Sequence, residues 1–182
     1  MFFVIIHNVR SILNVGSIFR TADGAGVDMV YLTGYTPGPD THADKISKTA
    51  LGAEVSVPWE RVKRVGDLMR RLRADGVTVI ALEQAKTSVD YRRYKSRGSI
   101  ALIIGNEVKG IGRLLRSNRR INVGLQHVVS QSDFQIVQHK TNVAQSGIDD
   151  IIEIPMRGRK ESLNVAVAFG IAAYELTRRI RT

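Results

Sequence analysis

The sequence predicts an α/β fold in which a parallel sheet is flanked by helices. Short apolar runs alternate along the chain with segments of helical periodicity, and this alternation is typical of strands connected by crossover helices. The runs are continuously apolar, as is usual for strands buried on both faces of a sheet. The 182 residues contain no cysteine, so we expect one domain, residues 1–182, whose core forms without disulfides.

Five segments are predicted to be strands because each is a short run rich in Val, Ile, Leu or Phe. They are residues 2–6, 29–32, 77–82, 99–104 and 151–154. The carboxyl ends of parallel strands lie along one edge of a sheet, and ligands bind at that edge in folds of this class. The polar residues that follow these strands are therefore the first candidates for a functional site.

Helices are predicted between and after the strands. Residues 14–25 carry Val15, Phe19 and Ala22 at helical spacing, and Gly26 follows as the expected end. Further helices are predicted over residues 46–51, 65–74 and 163–179, whereas the turn-rich residues 34–40 are predicted to form a loop.

The chain is strongly basic, since 27 Lys and Arg residues against 17 Asp and Glu residues give a formal charge of +10. Such a charge favours a polyanionic partner, and nucleic acid is the leading candidate. The alternative is a solvated basic surface without a single partner. Clusters of basic residues within 61–64, 70–73, 92–97 and 113–120 favour the specific partner. Only 6% of the residues are aromatic, so phosphate contacts are expected to matter more than base stacking.

The sequence lacks the motifs that identify several classes of enzyme. The chain has no Gly-x-x-x-x-Gly-Lys-Ser/Thr loop, no Gly-x-Gly-x-x-Gly after the first strand, no Gly-x-Ser-x-Gly and no His-Glu-x-x-His. Four scattered histidines and the absence of cysteine argue against a metal site. No apolar run is long enough to span a bilayer, and the first residues do not resemble a signal peptide. We therefore expect a cytoplasmic protein without a membrane partner.

Three loops follow predicted strands and combine glycine, proline and polar residues: Leu82-Glu-Gln, Gly105-Asn-Glu and Ile154-Pro-Met. The third loop leads through a polar stretch into a helix of small residues, and free amides at the start of such a helix can bind a ligand. Each loop taken alone is compatible with an ordinary turn. Because all three are expected at the same sheet edge, together they indicate a ligand site.

Three segments follow one another along the chain in a characteristic order: residues 14–20 (NVGSIFR), 101–111 (ALIIGNEVKGI) and 154–165 (IPMRGRKESLNV). They resemble the motifs of the SpoU/TrmH family of RNA ribose 2′-O-methyltransferases, within the SPOUT superfamily, and residues 48–54 and 57–60 are also similar to that family. The resemblance implies a parallel sheet with helices on both faces and a deep C-terminal trefoil knot, which is a rare exception among folds. It also implies S-adenosylmethionine as cofactor, tRNA or rRNA as partner, and a homodimer that completes the active site.

The resemblance implies two sets of site residues. The implied cofactor pocket consists of Leu82, Gly105, Ile154, Met156, Ser162 and Leu163, and the implied catalytic residues are Arg20, Asn14, Glu107, Ser162 and Asn164. In the family the arginine is proposed to help deprotonate the ribose hydroxyl. Because arginine is normally always charged, we favour for Arg20 a clamp on phosphate that also stabilises developing alkoxide charge. Asn14 and Glu107 are expected to orient Arg20 or the ribose, whereas Ser162 and Asn164 are also compatible with capping the last helix.

One segment departs from the family pattern. The chain from Ile111 to Asp150 exceeds the usual connection by roughly 25 residues, which gives an atypical insert at about residues 121–148. Its pattern is compatible with an added hairpin, a helix or a mobile segment. It can extend the RNA-binding surface, cover the cofactor, or only lower stability. Two alternative functions therefore stay open: a non-catalytic RNA-binding or ribosome-assembly protein on the same fold, and methylation of a base instead of a ribose.

Overall fold

The computed structural model of the chain describes residues 1–95, 98–106, 110, 111, 114 and 147–180. The strands of this described part are β1 (Phe2–His7), β2 (Met29–Thr33), β3 (Trp59–Val62), β4 (Thr78–Leu82), β5 (Val89–Asp90), β6 (Ile100–Ile104) and β7 (Asp150–Glu153). Its helices are α1 (Ile12–Ala25), α2 (Pro39–Ala50), α3 (Ala53–Ser56), α4 (Val65–Ala74) and α5 (Val165–Ile180). The predicted α/β class is confirmed.

The strands form one sheet in the order β3-β2-β1-β6-β4-β7-β5, and every neighbouring pair is parallel. β1 and β6 lie side by side near the centre, where Val4 is opposite Leu102 and Ile6 is opposite Ile104. The carboxyl ends of the strands therefore lie at one edge of the sheet, which is where ligands bind in folds of this class.

Two hydrophobic clusters cover the two faces of the sheet. Along β1, Val4 and Ile6 belong to one cluster and Ile5 to the other, because successive side chains of a strand point to opposite faces. Phe19 of α1 and Phe169 of α5 are fully buried in the first cluster. The apolar residues of α4 belong to the second. The central strands are thus buried on both faces, as their continuous apolar runs predict.

Local residues set the bounds of α1. The helix begins at Ile12, before the predicted start, because the Ser11 hydroxyl caps it by accepting the main-chain N–H of Asn14 at 3.3 Å. It ends where Gly26 adopts the left-handed conformation with a φ of 68°. The predicted helix over residues 14–25 is confirmed, with a longer first turn.

Other predicted bounds differ from the structure. α2 begins at Pro39, inside the predicted loop, and proline suits the first helical position because no N–H donor is needed there. α5 begins at Val165, after the predicted start at residue 163, because Asn164 occupies the capping position. β3 and β5 are not predicted from the sequence. They are short and partly polar strands at the two edges of the sheet, so no apolar run marks them.

Two predicted features lie largely outside the described residues. Glu107 is one, and the insert at 121–148 is the other; of the insert only Gly147 and Ile148 are described, and Ile148 is buried in the cluster around α4. The predicted knot depends on the path between β6 and β7, most of which also lies outside. The knot and the assignment of residues 1–182 to one domain therefore stay predictions. None of the described helices combines the length and the apolar character needed to cross a membrane.

Candidate functional site

A pocket opens at the carboxyl edge of the sheet, where β4, β6 and β7 end. Three separate chain segments form its walls. The lining consists of Leu82, Glu83, Gln84, Ile104, Gly105, Asn106, Glu153, Ile154, Met156, Ser162, Leu163, Val165 and Ala168. The three loops that the sequence singles out therefore meet at one cavity.

Every residue of the predicted cofactor set lines this pocket: Leu82, Gly105, Ile154, Met156, Ser162 and Leu163. The walls combine apolar side chains with amide, hydroxyl and carboxylate groups, and an amphipathic ligand such as a nucleoside needs both kinds of surface. The residues present therefore fit a nucleoside cofactor. The binding role of each individual residue stays a prediction.

The second loop folds tightly on itself at Gly105. A Cβ atom at this glycine would lie 2.6 Å from the main-chain carbonyl carbon of Gly110 and 2.6 Å from Cγ2 of Ile111, so no larger residue fits. The main-chain N–H of Gly110 donates to the Asn106 carbonyl at 2.8 Å and closes the turn. This close approach of two main-chain stretches explains the glycine at residue 105.

Asn106 connects the end of β6 with the ends of β1 and β2. It is buried, with 7% of its surface exposed. Its Nδ2 donates to the Asn8 carbonyl and to the Tyr35 hydroxyl, both at 3.1 Å. The Oδ1 of Asn8 accepts the main-chain N–H of Tyr35 at 3.2 Å. A hydrogen-bonded network therefore fixes the wall of the pocket that lies next to β1.

His7 belongs to the same network and is held neutral. Its Nδ1 lies 2.9 Å from the Thr33 hydroxyl, and its Nε2 lies 2.8 Å from Nδ2 of Asn8. Because an amide nitrogen only donates, Nε2 is the acceptor and Nδ1 carries the proton. Burial lowers the pKa of His7 below its ordinary value of 6.5. The network therefore requires a neutral imidazole.

Asn14 and Asn164 meet where α1 and α5 begin. The Nδ2 of Asn164 donates to Oδ1 of Asn14 at 3.1 Å. The Oδ1 of Asn164 accepts the main-chain N–H groups of Ala166 at 2.9 Å and Val167 at 3.4 Å, so the side chain caps α5. The capping interpretation of Asn164 is thus confirmed. Two predicted catalytic residues are therefore in direct contact, and one of them, Asn164, is two residues from Ser162 in the pocket wall.

Arg20 is not part of the pocket lining of its own chain. It is exposed on α1. An α-helix turns by about 100° per residue, so Arg20, Leu13 and Gly24 lie within about 40° of one another around the helix axis and form one ridge of α1. This ridge of α1 borders α5, because a Cβ atom at Gly24 would lie 2.9 Å from the Tyr174 hydroxyl. The structure therefore brings Asn14 and Asn164 together but leaves Arg20 on a different side of α1.

Sequence reasoning assigns no site role to several residues of the pocket. Glu83, Gln84 and Glu153 line the cavity without belonging to either predicted set, and Asn106 holds its wall. Glu83, Gln84 and Asn106 lie in loops that the sequence analysis singles out at strand ends, whereas the two sets of site residues follow from the family resemblance. Among the described residues, no group of three or more His, Asp or Glu side chains lies close enough to hold a metal ion.

The loop between Met156 and Ser162 carries Arg157, Arg159 and Lys160, and all three are exposed. No ion pair within the described part of the chain involves them. Since both ends of this loop line the pocket, its cations lie beside the cavity. A polyanion that approached the pocket would meet them first.

The fold and the pocket define a class: parallel α/β proteins that bind a small ligand where the strands end. Residues 1–130 match the model of the SpoU rRNA Methylase family, so the chain belongs to that family. The 23S rRNA (guanosine-2′-O-)-methyltransferase RlmB of Vibrio vulnificus is 31% identical over 175 residues, which cover 96% of this chain and 58% of that protein.

Solved structures are similar over nearly the whole chain. An rRNA methyltransferase from Sinorhizobium meliloti with AdoMet bound has a TM-score of 0.72 and 29% identity, covering 97% of this chain and 56% of that one. The TrmH/SpoU tRNA modifying enzyme of A. aeolicus has a TM-score of 0.70 and 26% identity, covering 98% and 74%. The predicted SpoU/TrmH membership is confirmed. The chain spans 58% of the length of its Vibrio vulnificus relative.

Proposed function

We propose that this chain transfers a methyl group from S-adenosylmethionine to a ribose 2′-hydroxyl of RNA. The observation that carries the proposal is the meeting of the predicted motif loops at one pocket, with Asn14 and Asn164 in contact beside it. Membership of the SpoU rRNA Methylase family supports the reaction. The S. meliloti relative with AdoMet bound supports the cofactor.

The pocket residues suit the parts of this cofactor. Leu82, Ile104 and Leu163 offer apolar surface for an adenine ring, while Gln84 and Ser162 offer polar groups for a ribose or an amino-acid end. When bound, S-adenosylmethionine supplies a methyl group on a sulfonium, which reacts with an aligned nucleophile. The part of the protein is therefore to hold that methyl in line with a hydroxyl.

The polar residues outside the pocket handle the RNA. A ribose hydroxyl is a weak nucleophile until its proton is lost or shared. The amide groups of Asn14 and Asn164 form a hydrogen-bonded pair that can orient such a hydroxyl. Arg20 clamps the adjacent phosphate and stabilises negative charge as it develops on the oxygen.

A second copy of the chain brings Arg20 to a pocket. α5 leaves Val167, Ile171 and Tyr174 exposed, at 53%, 37% and 58% of their surface, and Leu13 is 57% exposed on the neighbouring ridge of α1. Such an apolar surface is typical of a protein interface. Because Arg20 lies on the same ridge, a homodimer through this surface places it at the interface. The partner's pocket is then completed by an arginine that its own chain does not supply.

RNA is the partner that the charge favours. The chain has a formal charge of +10, and Arg157, Arg159 and Lys160 lie beside the pocket where they can contact phosphates. The V. vulnificus relative is an enzyme of 23S rRNA and the A. aeolicus relative modifies tRNA, so both RNAs are substrates to test. The absence of cysteine agrees with the cytoplasm, which we propose as the compartment.

The test is a methyl-transfer assay. Purified protein is incubated with radiolabelled S-adenosylmethionine and either rRNA or tRNA that lacks the modification, and label is sought in alkali-resistant dinucleotides. Arg20→Ala should lose transfer and keep cofactor binding, whereas Arg70→Ala, on α4, should behave like the wild type. Label in a base would refute ribose as the acceptor. RNA binding with no transfer to any RNA would favour the non-catalytic alternative.

The dimer has its own measurement. Ile171→Glu places a charge on the exposed apolar surface of α5 without touching the fully buried Phe169. The wild type should sediment as a dimer and the variant as a monomer, with loss of methyl transfer. A wild type that sediments as a monomer at assay concentrations would contradict the shared site.

A further inference from the structure

We propose that Glu83 and Gln84 are positioning residues for the cofactor, because their side chains accept from and donate to the two other loops of the pocket from a single point at the end of β4. This inference rests on the proposed function, since it concerns the same pocket. Neither residue belongs to the motifs that indicate the family. Both follow Leu82 directly, and both line the cavity.

Glu83 holds the loop that follows β6. Its main-chain N–H donates to the Ile152 carbonyl of β7 at 3.0 Å, which anchors the residue to the sheet. Its Oε2 accepts the main-chain N–H of Ile111 at 2.9 Å. Gly110 has a φ of 52°, and a Cβ atom there would lie only 1.9 Å from Oε2 of Glu83. The carboxylate therefore fills the space beside the glycine and shapes the loop against it.

Gln84 holds the loop that precedes α5. Its Nε2 donates to the main-chain carbonyl of Glu161 at 2.7 Å, a contact between residues 77 positions apart. Glu161 precedes Ser162 and Leu163, which line the pocket. The main-chain N–H of Gln84 also donates to Oε1 of Glu83 at 3.2 Å, so the Glu83 carboxylate is held against the main chain at the end of β4.

These contacts matter for binding more than for chemistry. Without Glu83 and Gln84, the two loops would have to become ordered when the cofactor binds, and that ordering weakens the observed affinity. Once the cofactor is bound and the loops are ordered, the reacting groups are placed as before. Loss of either side chain should therefore raise the dissociation constant and the KM for S-adenosylmethionine while kcat changes little.

The experiment measures S-adenosylmethionine binding by calorimetry and methyl transfer at varied cofactor concentration. Glu83→Ala and Gln84→Ala should each bind the cofactor about tenfold more weakly, as expected for the loss of one strong hydrogen bond. Glu83→Gln keeps an acceptor for the Ile111 N–H and should recover most of the affinity. Gln84→Glu sets a carboxylate against the Glu161 carbonyl and should bind worse than Gln84→Ala. Lys86→Ala, an exposed change nearby, serves as the matched control.

A double-mutant cycle tests the contact itself. Gly110→Ala should impair cofactor binding in the wild-type background, because the new methyl group meets the Glu83 carboxylate. In the Glu83→Ala background the clash with the carboxylate is gone, so the same change should cost less, and the remaining cost is that of an alanine at a φ of 52°. A general loss of stability would not produce this coupling, and urea unfolding of each variant confirms that it is folded.

The outcomes separate the two proposals. A wild type that does not bind S-adenosylmethionine refutes the proposed function. A wild type that binds, together with Glu83→Ala, Glu83→Gln and Gln84→Ala variants that bind as tightly, overturns the positioning role and leaves the function standing. Equal losses in kcat and in affinity would also overturn it, because they would show an effect on the chemical step.

Discussion

Asn164 combines two tasks that substitutions can separate. Its Oδ1 caps α5 by accepting the N–H groups of Ala166 and Val167, and its Nδ2 donates to Asn14. Asn164→Ala removes both interactions. Asn164→Asp keeps the capping oxygen and adds a charge that suits a helix N-terminus. It replaces the donor with an oxygen that faces Oδ1 of Asn14.

The magnitudes follow from these contacts. Loss of an N-cap costs about 1 kcal/mol, and loss of a side-chain hydrogen bond that is partly solvated costs about 0.5 kcal/mol. Asn164→Ala should therefore lower the free energy of unfolding by about 1.5 kcal/mol, which is roughly 3–6 °C in Tm for a chain of this size. Asn164→Asp should stay within about 0.5 kcal/mol of the wild type. Methyl transfer should fall about 100-fold in both variants, because both lose the amide donor that we propose orients the hydroxyl.

Urea unfolding and the methyl-transfer assay are run on the same preparations. The expected pattern is a stable but inactive Asn164→Asp protein beside a less stable and inactive Asn164→Ala protein. Full activity in Asn164→Asp would refute the role of the amide donor. An unchanged unfolding midpoint in Asn164→Ala would refute the contribution of the cap.

Two further predictions concern stability. Gly16→Ala should lower the free energy of unfolding, measured in urea, by about 2 kcal/mol. The reason is steric, because the new Cβ would lie 2.0 Å from the Thr49 hydroxyl and 2.6 Å from the Ile46 carbonyl. Gly66→Ala is the control and should be neutral or stabilising, because its Cβ meets no atom within 4 Å. Burial lowers the pKa of His7 below 6.5, so on acidification the unfolded state takes up a proton before the folded state does. The contribution of neutral His7 to the free energy of unfolding should therefore be fully present above pH 6.5 and should decrease as the pH falls below that value. His7→Gln should reduce that fall, and an identical pH dependence in the variant would contradict the assignment.

The strands of the sheet differ in how far their sequences reveal them. β6 is predictable because all of its residues are buried and apolar. β3 is not, because Glu60 and Arg61 reach out of the edge strand to Arg71 and Asp40 rather than into the core. An edge strand forms because it pairs with a neighbouring strand, and the pattern of residues within the edge strand does not reveal that pairing.

The candidate site also has parts that the sequence predicts and parts that it does not. Local patterns place Gly105 and Leu82 at strand ends, and the parallel sheet then brings them to one edge. The contacts of Glu83 and Gln84 escape this reasoning, because their partners Ile111 and Glu161 lie 28 and 77 positions away. Such pairings depend on how loops fold over the sheet, and neither hydrophobic spacing nor turn propensity encodes that path.

The clustered charge has two different physical uses in this chain. Arg61 binds both carboxylate oxygens of Asp40, at 2.6 and 2.7 Å, and this pairing lowers the pKa of Asp40. Arg71 pairs with Glu60 at 2.8 Å, and Arg73 pairs with Asp149 at 3.0 Å.

These arginines stabilise contacts between surface elements, so counting them as phosphate ligands overstates the RNA surface that the sequence predicts. The net charge still favours a polyanion at a distance, because paired charges cancel without removing the excess of cations. For the proposed RNA substrate, the position on the surface should depend instead on cations that form no ion pair. Among the described residues, Arg157, Arg159 and Lys160 form no ion pair and lie in the loop whose two ends line the pocket. We therefore expect the net charge to set the attraction of RNA and these three cations to set its position, so that raising the salt concentration and removing the three cations should have separable effects on binding.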